Sequence, residues 1–525
     1  NWRDNCTLVP KDGGGYAWKD NCMNASQVTR DHFYNYTSPL FPNLSAFVDW
    51  EHDRNIRSFF NDHPFPVGPQ TSPEEVAFRY TGMTSVMRSI GIDWWWLDTN
   101  WRFSIPGFAQ LDNVVWGGHV YASVQARWNA ESGRLKERGM VLHMASSSHP
   151  SDHRFPVWWT GDDKSMAYSV TSMVNSGVSQ LKPYVMSDCG GDGRSDADSY
   201  IRWIQHCAFG TILRIHGGPP NYPAHQPWSY DAYTEDAVRT VINMRYKMMP
   251  ALIAAGQQAT LDGTPLVRRL DLEFPQFAEA AADDQYLFTA DLLFAPLGGG
   301  LGGSRQHVQR GHGSPKAVSL VPSPPPPHSH SNDTRQVWIP PGQWVDAWTG
   351  ELVLGNRSEK IEVTRPANQA ALWHRRGGVL VCTETPGTTV ATQSWKRLVL
   401  EVFPFPKAGI PRITQRQVHP RQLDDDHAAT VTLRDDGRGN LSVTIAAAEG
   451  YCDRRTWTAR FHLLSGEMPV AAALDGHVLL SKESGGSDVG TMAVLMPRHA
   501  TMAPLGGRGS HPPKAAGPIA EIVLA

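Results

Sequence analysis

Helical and strand-like patterns of apolar residues alternate along the first half of the chain. From about residue 44 to 275, runs with apolar residues every three or four positions are followed by short runs rich in β-branched and aromatic residues. "PEEVAFRYTGMTSVMRSIG" predicts a helix that begins at its proline, and "IDWWWLD" predicts the strand after it. Repeated units of this kind predict parallel strands and favour a (β/α)8 TIM barrel, with a doubly wound sheet as the alternative.

The other predicted elements of this half continue the alternation. In chain order they are the helix "LSAFVDWEHDRN", the strand "IRSFFNDH", the strand "MVLHMAS", the helix "SMAYSVTSMVNSGVSQL", the strand "YVMSDCGG", the helix "DADSYIRWIQHCAFG", the strand "ILRIHG" and a long helix from about 232 to 260.

The pattern changes after Pro275. Short strand-like segments such as "RQVWIPPGQWVDAWTGELVL" and "WTARFHLL", separated by glycine and proline, predict two β-sandwiches. The fold class is therefore α/β plus all-β. The predicted domains are a barrel over residues 1–275, a proximal sandwich over 276–390 and a distal sandwich over 391–525. Residues 297–332, rich in Gly, Ser, Pro and His, are predicted to be a disordered insert in the proximal sandwich.

Composition narrows the possible functions. The 525 residues carry a net charge of -3, so electrostatics gives no case for binding nucleic acid or an anionic membrane. No apolar run reaches the roughly 18 residues of a membrane span. The 19 tryptophans are typical of sugar-binding sites, where a flat ring stacks on a pyranose, although large cores use tryptophan as well.

Indirect signals favour the secretory pathway (extracellular, cell-surface or lysosome-like). The chain begins at Asn1 without a recognisable signal peptide, so we expect part of the protein to precede it. Its six cysteines form no CxxC pair, and Cys6 and Cys22 either form a disulfide or remain free thiols. Glycosylation sequons begin at Asn5, Asn24, Asn35, Asn43, Asn332, Asn356 and Asn440.

Carboxylates at predicted strand ends are the main chemical signal. Asp98 shares a strand face with Trp94 and Trp96, because side chains alternate along a strand. Asp162, with Asp163 beside it, also follows tryptophans. Asp188 follows a third strand, and each of these acids alone would serve equally well as a helix cap. Cleavage of a glycosidic bond uses two carboxyl groups, one as nucleophile and one as general acid, and two carboxylates on neighbouring strands could supply them.

These segments resemble glycoside hydrolase family 31, the α-glucosidase and α-xylosidase group. "DWWWLDTN" is similar to the family's nucleophile motif and places Asp98 in that role. "HRFPVWWTGDDKS" is similar to its acid/base segment, with Asp162 as the acid/base and Asp163 as the substitute. "MSDCGGDGRSDADSYIRWIQHCAFGTILRIHG" resembles a further family segment that supplies Asp188, Arg214 and His216.

The resemblance implies a retaining α-glycosidase that hydrolyses terminal α-linked sugars by double displacement and needs no cofactor. The carbohydrate substrate is then its predicted partner. The predicted sugar-binding residues are Asp62, Trp96, Trp159, Asp188, Arg214 and His216. The tryptophans would wall the terminal-sugar subsite, and the alternative for Trp94 and Trp96 is packing in the barrel core.

Departures from the family pattern support a second interpretation, a catalytically impaired relative that binds glycans or has a structural role in assembling with partners. The N-terminal sandwich and the first barrel strands of the family are missing from this chain. An arginine that the family places sixteen residues before the acid/base is replaced here by Ser146, and Arg154 is a weak substitute. A bidentate arginine is hard to replace with a short hydroxyl, so we expect altered selection at the terminal sugar or low activity.

Other chemistries have little support. His143, His149, Asp152 and His153 have metal-like spacing but occur in a Ser- and Pro-rich loop context, so no metal site is predicted. The Gly-x-Ser-x-Gly nucleophile elbow of esterases does not occur in the sequence.

Overall fold

The structure is a computed structural model of the chain. It describes residues 8–10, 16–18, 42–62, 73–97, 104–105, 108–134, 141–143, 153, 155, 157–163, 165–191, 195–216, 225–301, 330–356, 358–407, 409–418, 429–447, 455–464, 471–474, 477–481, 491–496 and 518–524. These residues fall into two compact units, of which the first contains residues 1–203 and 211–231 and the second contains 204–210, 232–302 and 330–525.

The first unit alternates strands and helices, as the sequence predicts. Its elements are β1 (Leu8–Pro10), β2 (Tyr16–Trp18), α1 (Leu44–His52), β3 (Phe59–Asp62), α2 (Pro73–Ile90), β4 (Trp94–Leu97), β5 (Ser104–Ile105), β6 (Phe108–Asp112), α3 (Asn113–Glu131), β7 (Val141–His143), β8 (Val157–Trp159), α4 (Met166–Gln180), β9 (Val185–Met186) and α5 (Ala197–Ala208), whose last turn belongs to the second unit.

A parallel sheet with the order β3-β4-β7-β8-β9 organises the first unit. Every neighbouring pair is parallel, and the strands are added in the order of the chain. A doubly wound sheet reverses its direction of growth at a switch point, whereas these strands continue in one direction as they do along one arc of a barrel. The carboxyl ends of the strands therefore meet along one edge.

Side chains of β4 alternate between two aromatic environments. Trp94 and Trp96 both stack on Phe59 of the neighbouring strand, with ring centroids 6.0 and 5.4 Å away. Trp95 points to the other face, where its ring meets Phe60 edge-on at 6.3 Å. Since Trp95 and Trp96 are both buried, aromatic packing fixes the register of this strand on both faces.

Asp93 anchors the opposite end of β4. Its buried carboxylate accepts hydrogen bonds from Arg57 (3.0 Å), Arg134 (3.3 Å) and the backbone nitrogen of Ser58 (2.8 Å). His52 Nε2 lies 2.9 Å from the second carboxylate oxygen. A buried carboxylate is stable only when it is paired in this way, so the network ties α1, β3, β4 and the end of α3 together.

Two helices of the structure differ from the predicted pattern. The helix α3 has no counterpart in the predicted elements, because Gly117 and Gly118 lower helix propensity in its second turn. The long helix expected from about 232 to 260 is two helices, α6 (Ala232–Lys247) and α7 (Met249–Asp262). Pro250 lacks a backbone N–H and is tolerated in the first turn of a helix, so the second helix begins there.

The second unit continues with strands. They are β10 (Val267–Arg269), β11 (Tyr286–Phe288), β12 (Leu292–Phe294), β13 (Asn332–Trp338), β14 (Gly342–Asp346), β15 (Leu352–Gly355), β16 (Lys360–Pro366), β17 (Leu372–Arg375), β18 (Val379–Thr383), β19 (Arg397–Val402), β20 (Arg412–Val418), β21 (Ala429–Asp435), β22 (Leu441–Ala447), β23 (Thr456–His462), β24 (Ala471–Leu474), β25 (His477–Ser481), β26 (Thr491–Met496) and β27 (Pro518–Leu524).

These strands form mainly antiparallel sheets around two cores. The sheet orders are β10-β11-β12-β17-β14-β15, β13-β16, β18-β19-β23-β26 and β20-β21-β22-β27-β24-β25. One core contains Trp338, Trp344 and Trp373, and the other is built around Trp395 and Trp457. No helix within the described parts of the chain is both long and apolar enough to cross a membrane.

Candidate functional site

The structure describes some of the predicted site residues and not others. Asp98 follows β4 directly but lies outside the described residues, as does Ser146. Asp62 is the last residue of β3, and its backbone position alone is described. Asp162 lies just after β8 and is exposed, and Asp188 lies just after β9 and is buried. Each described acid thus occupies the carboxyl end of a parallel strand, where barrel enzymes carry their catalytic groups.

Asp188 is the centre of the described site. Its carboxylate is fully buried, and Oδ1 accepts a 2.7 Å hydrogen bond from Trp159 Nε1. The same oxygen forms an ion pair with the Arg214 guanidinium. His216 Nε2 lies 3.7 Å from Oδ2. Three residues that the sequence assigned to sugar binding therefore converge on a fourth, Asp188.

Arg214 also packs against aromatic rings. Its guanidinium carbon lies 4.4 Å from the ring centroid of Trp96 and 5.7 Å from that of Trp159. The two indoles meet edge-on at 5.0 Å and form a small apolar cluster with Met186. Cation–π attraction and the ion pair with Asp188 hold the guanidinium in one place. The fixed cation at this strand edge is suited to orienting a polar ligand.

Trp96 and Trp159 are 3% and 2% exposed, so both pack in the core, as the alternative for Trp96 anticipated. Their role as walls of the terminal-sugar subsite remains a prediction. Met186, which packs with both, was absent from the predicted site although it lies two residues before Asp188.

A glycine turn shapes the loop after Asp188. Gly190 and Gly191 have φ angles of +97° and +83°, a region that L side chains rarely adopt. The backbone nitrogen of Gly191 donates a 2.8 Å hydrogen bond to the Asp188 carbonyl oxygen. A Cβ added at Gly191 would lie 2.8 Å from the Trp203 ring. The chain can therefore turn back beside the carboxylate only because no side chain is present.

Asp162 and Asp163 lie in opposite environments despite being neighbours. Asp162 is exposed, whereas Asp163 is only 2% exposed and accepts a hydrogen bond from the Thr160 hydroxyl. Burial raises the pKa of Asp163 to about 7, and the hydrogen bonds from Thr160 and Ser169 oppose this shift. Adjacent carboxyls in unlike environments, one buried and one exposed, are a common arrangement in acid/base sites. Asp163, and not Asp162, is the residue turned inward.

Two further sets of residues bear on the sequence interpretation. Cys189 and Cys207 are both buried and each takes part in a disulfide bond, which the sequence did not predict although Cys189 directly follows Asp188. Cys6 and Cys22 lie outside the described residues. Of the histidines with metal-like spacing, His153 is exposed. Among the described residues, no group of three or more His, Cys, Asp or Glu side chains is arranged to hold a metal ion.

The chain matches one known family in its first half. The TIM-barrel domain of glycosyl hydrolase family 31 matches residues 15–255. These residues contain the parallel sheet and every predicted site residue.

Curated relatives and a solved structure are also similar to the chain. A 1,6-alpha-glucosyltransferase of Sporosarcina globispora is 22% identical over 371 residues, which are 64% of this chain and 26% of the relative. An alpha-xylosidase of Saccharolobus solfataricus is 22% identical over 340 residues, 60% of this chain and 41% of the relative. The chain thus spans well under half the length of these curated relatives.

The family 31 dextranase of Flavobacterium johnsoniae, solved in complex with glucose, superposes with a TM-score of 0.67 at 17% identity. The superposition covers 92% of this chain and 63% of the dextranase. At this identity the likeness establishes the fold and leaves activity open.

Proposed function

Because residues 15–255 match the TIM-barrel domain of glycosyl hydrolase family 31, we propose that the chain is the catalytic part of a retaining α-glycosidase of that family. It would hydrolyse terminal α-linked sugars from oligosaccharides, polysaccharides or glycoconjugates. The observation that carries the proposal is the buried Asp188, held by Arg214 and Trp159 at the carboxyl edge of the parallel sheet. Curated relatives named as α-glucosidases and α-xylosidases support this class of substrate.

In the proposed mechanism Asp98 attacks the anomeric carbon and forms a covalent glycosyl-enzyme. Asp162 protonates the leaving oxygen and then removes a proton from the attacking water. Exposure of Asp162 after β8 supports this role, since the acid/base must reach both the leaving group and solvent. The neighbouring Asp163 stays largely protonated below neutral pH, which limits the negative charge around Asp162 in the first step.

Substrate contacts are assigned to the residues around Asp188. Asp188 would accept hydrogen bonds from sugar hydroxyls, and His216 would donate a hydrogen bond to one of them. Arg214 would hold the Asp188 carboxylate in the orientation that these contacts need. The edges of Trp96 and Trp159 would border the ring of the terminal sugar. Asp62, at the end of the neighbouring strand β3, would hold a further hydroxyl.

We propose the matching architecture as well. Residues 1–275 would form the (β/α) barrel domain. Residues 276–390 and 391–525 would form two β-sandwiches, and the two separate tryptophan-containing cores of the second unit support there being two such domains. The insert at 297–332 would lie in the proximal sandwich.

The secretory pathway is the proposed location. The seven sequons support it, and so do the disulfide-bonded Cys189 and Cys207, because disulfides persist mainly in oxidising compartments.

The test is hydrolysis of α-glucosides and α-xylosides by the full-length protein and its Asp98→Asn and Asp162→Asn variants. We expect Asp98→Asn to abolish turnover. Asp162→Asn should slow alkyl glycosides far more than aryl glycosides with good leaving groups, since the latter need no protonation. Asp53→Asn, at an exposed position, serves as the control. Full activity in Asp98→Asn would contradict the assignment.

Ser146 favours a second candidate, a glycan-binding relative with impaired catalysis. If the full-length protein binds sugars but turns over none of the glycosides, this candidate replaces the first. The variant Ser146→Arg then distinguishes a lost contact from an unneeded one. Gain of α-glucoside hydrolysis would show that the missing arginine had limited the enzyme.

A further inference from the structure

The second unit contains a cavity of about 260 Å³ between two of its sheets. One wall comes from β12, β17 and β14, and the other from β18, β19 and β23. The end of α6 closes one side with Met244, Lys247 and Met248. A water occupies about 30 Å³ of liquid, so the cavity has room for an organic molecule of roughly a dozen non-hydrogen atoms.

Most of the cavity surface is apolar, and the strand register explains why. On the first sheet, Leu292, His374 and Val345 lie side by side on three neighbouring strands. On the second sheet, Leu380 lies beside Glu401, with Cys382 two residues further along the same strand face. Burial raises the pKa of the Cys382 thiol well above its usual value, so this cysteine is neutral. Such walls favour an apolar ligand body.

Three stacked rings connect the two walls. His374 stacks on Phe403 at 4.2 Å, and Phe403 stacks on His462 at 4.4 Å, with nearly parallel planes in both pairs. Burial lowers the pKa of His374 to about 3, so its imidazole is neutral. Its Nδ1 is buried without a hydrogen-bond partner among the described residues. The imidazole as a whole is only partly buried and lines the cavity, so its remaining atoms are available to a hydrogen-bonding group on a ligand.

Among the described residues that line the cavity, Lys247 is a cationic side chain whose charge is not paired with a carboxylate. Glu401 is occupied by Arg460, at 2.5 Å, and by His462, at 2.7 Å. Asp346 is paired with Arg365, which is outside the cavity lining. The exposed ammonium group of Lys247 makes no hydrogen bond or ion pair with any residue that the structure describes. An anionic group on a ligand would therefore be favoured beside Lys247.

We propose that this cavity binds a small aromatic carboxylic acid. The aromatic body lies between the two apolar walls, the carboxylate pairs with Lys247, and a ring hydroxyl forms a hydrogen bond with the part of the His374 imidazole that lines the cavity. All lining residues belong to the second unit, so the proposal does not depend on the glycosidase site.

The probe is 4-hydroxyphenylacetate, and its binding to the full chain is measured by isothermal titration calorimetry. We expect saturable binding with one site. 4-Hydroxyphenylacetamide, which lacks the charge, and phenylacetate, which lacks the hydroxyl, should each bind about fivefold more weakly. Absence of saturable binding of the probe, or equal affinity for the charged and neutral compounds, would overturn the proposal.

Variants locate the site. Lys247→Met should weaken binding about fivefold, because an exposed ion pair contributes little more. Lys396→Met, at an exposed position away from the cavity, is the matched control and should bind as the parent does. His374→Phe retains a ring against Phe403 and should remove the advantage of the hydroxylated probe over phenylacetate.

Leu380→Trp fills the cavity and should abolish binding, provided that its urea unfolding curve shows a folded protein. If this variant does not fold, the two substitutions at Lys247 and His374 decide the matter. Parental affinity in the folded Leu380→Trp protein, or in both of the other variants, would place the ligand elsewhere and reject the proposal.

Discussion

Trp159 Nε1 donates a 2.7 Å hydrogen bond to Oδ1 of Asp188, which joins the end of β8 to the loop after β9. Both residues are buried, at 2% and 0% exposure. Because the carboxylate is removed from water, each of its donors has a larger effect on stability than it would at the surface.

Replacing Trp159 by Phe should lower the free energy of unfolding by about 2 kcal/mol, because a buried carboxylate loses one of its hydrogen-bond donors. Urea denaturation of the two proteins measures the difference. Trp228→Phe, at a residue that is 71% exposed, provides the control and should leave the midpoint unchanged. Equal midpoints for Trp159→Phe and the parent would argue against this hydrogen bond.

Replacing Arg214 by Met should cost about 3–5 kcal/mol, because it leaves the buried Asp188 carboxylate without its cation. Adding Asp188→Asn to the same protein should recover part of this loss, since the uncompensated charge is then removed. Urea denaturation of both single variants and the double variant yields the coupling between the two residues. Additive effects would contradict the ion pair, and Arg239→Met at an exposed helix position is the control.

Asp163 should make stability depend on pH. In the folded protein it keeps its proton up to about pH 7, whereas the unfolded chain releases that proton near pH 4. Between these values the folded state binds more protons, so its stability falls as pH rises and levels off above pH 7. Asp163→Asn lacks this fall and should gain on the parent by on the order of 4 kcal/mol between pH 4 and pH 8.

Urea denaturation of parent and Asp163→Asn at both pH values measures this change. Asp53→Asn, which alters an exposed carboxylate outside the cluster, should show the same difference from the parent at each pH. A constant difference for Asp163→Asn would mean that Asp163 ionises in the folded protein as it does in the unfolded chain.

Asp93→Asn should destabilise the first unit by about 3 kcal/mol, because Arg57 and Arg134 lose the charge on which they converge. Thermal unfolding provides the measurement. Glu131→Gln removes one partner of the exposed pair with Arg127, and we expect little change from it. Similar melting temperatures for the two variants would show that the buried network contributes no more than a surface pair.

The sequence predicts the parts of the fold that depend on local pattern. Alternation of Trp94, Trp95 and Trp96 placed β4 correctly, because aromatic packing against β3 follows the same two-residue period. The sequence pattern did not predict α3, because two glycines weaken its helical signal and packing overrides propensity there. The family resemblance was confirmed, whereas the sandwich boundaries and the domain limits remain predictions.

The sequence predicted which residues come together at the site, but it did not predict which of them are buried and which are exposed. Asp188, Arg214 and His216 come together as the family segment implies. Asp162 and Asp163 are identical in chemistry and adjacent in sequence, so only the folded chain distinguishes the exposed carboxyl from the buried one. The distance between Asp98 and Asp162, which would test retention, involves a residue outside the described part of the chain.

The turn at Gly190 and Gly191 has a consequence for how this sequence changes over evolution. Every amino acid other than glycine adds a Cβ, and at Gly191 that atom would meet Trp203 at 2.8 Å. A replacement at residue 191 therefore requires either a smaller side chain at residue 203 together with a residue that tolerates a positive φ, or a different course for the loop that carries Asp188. Homologues that have lost this glycine are expected to have changed residue 203 too, so the two positions should vary together.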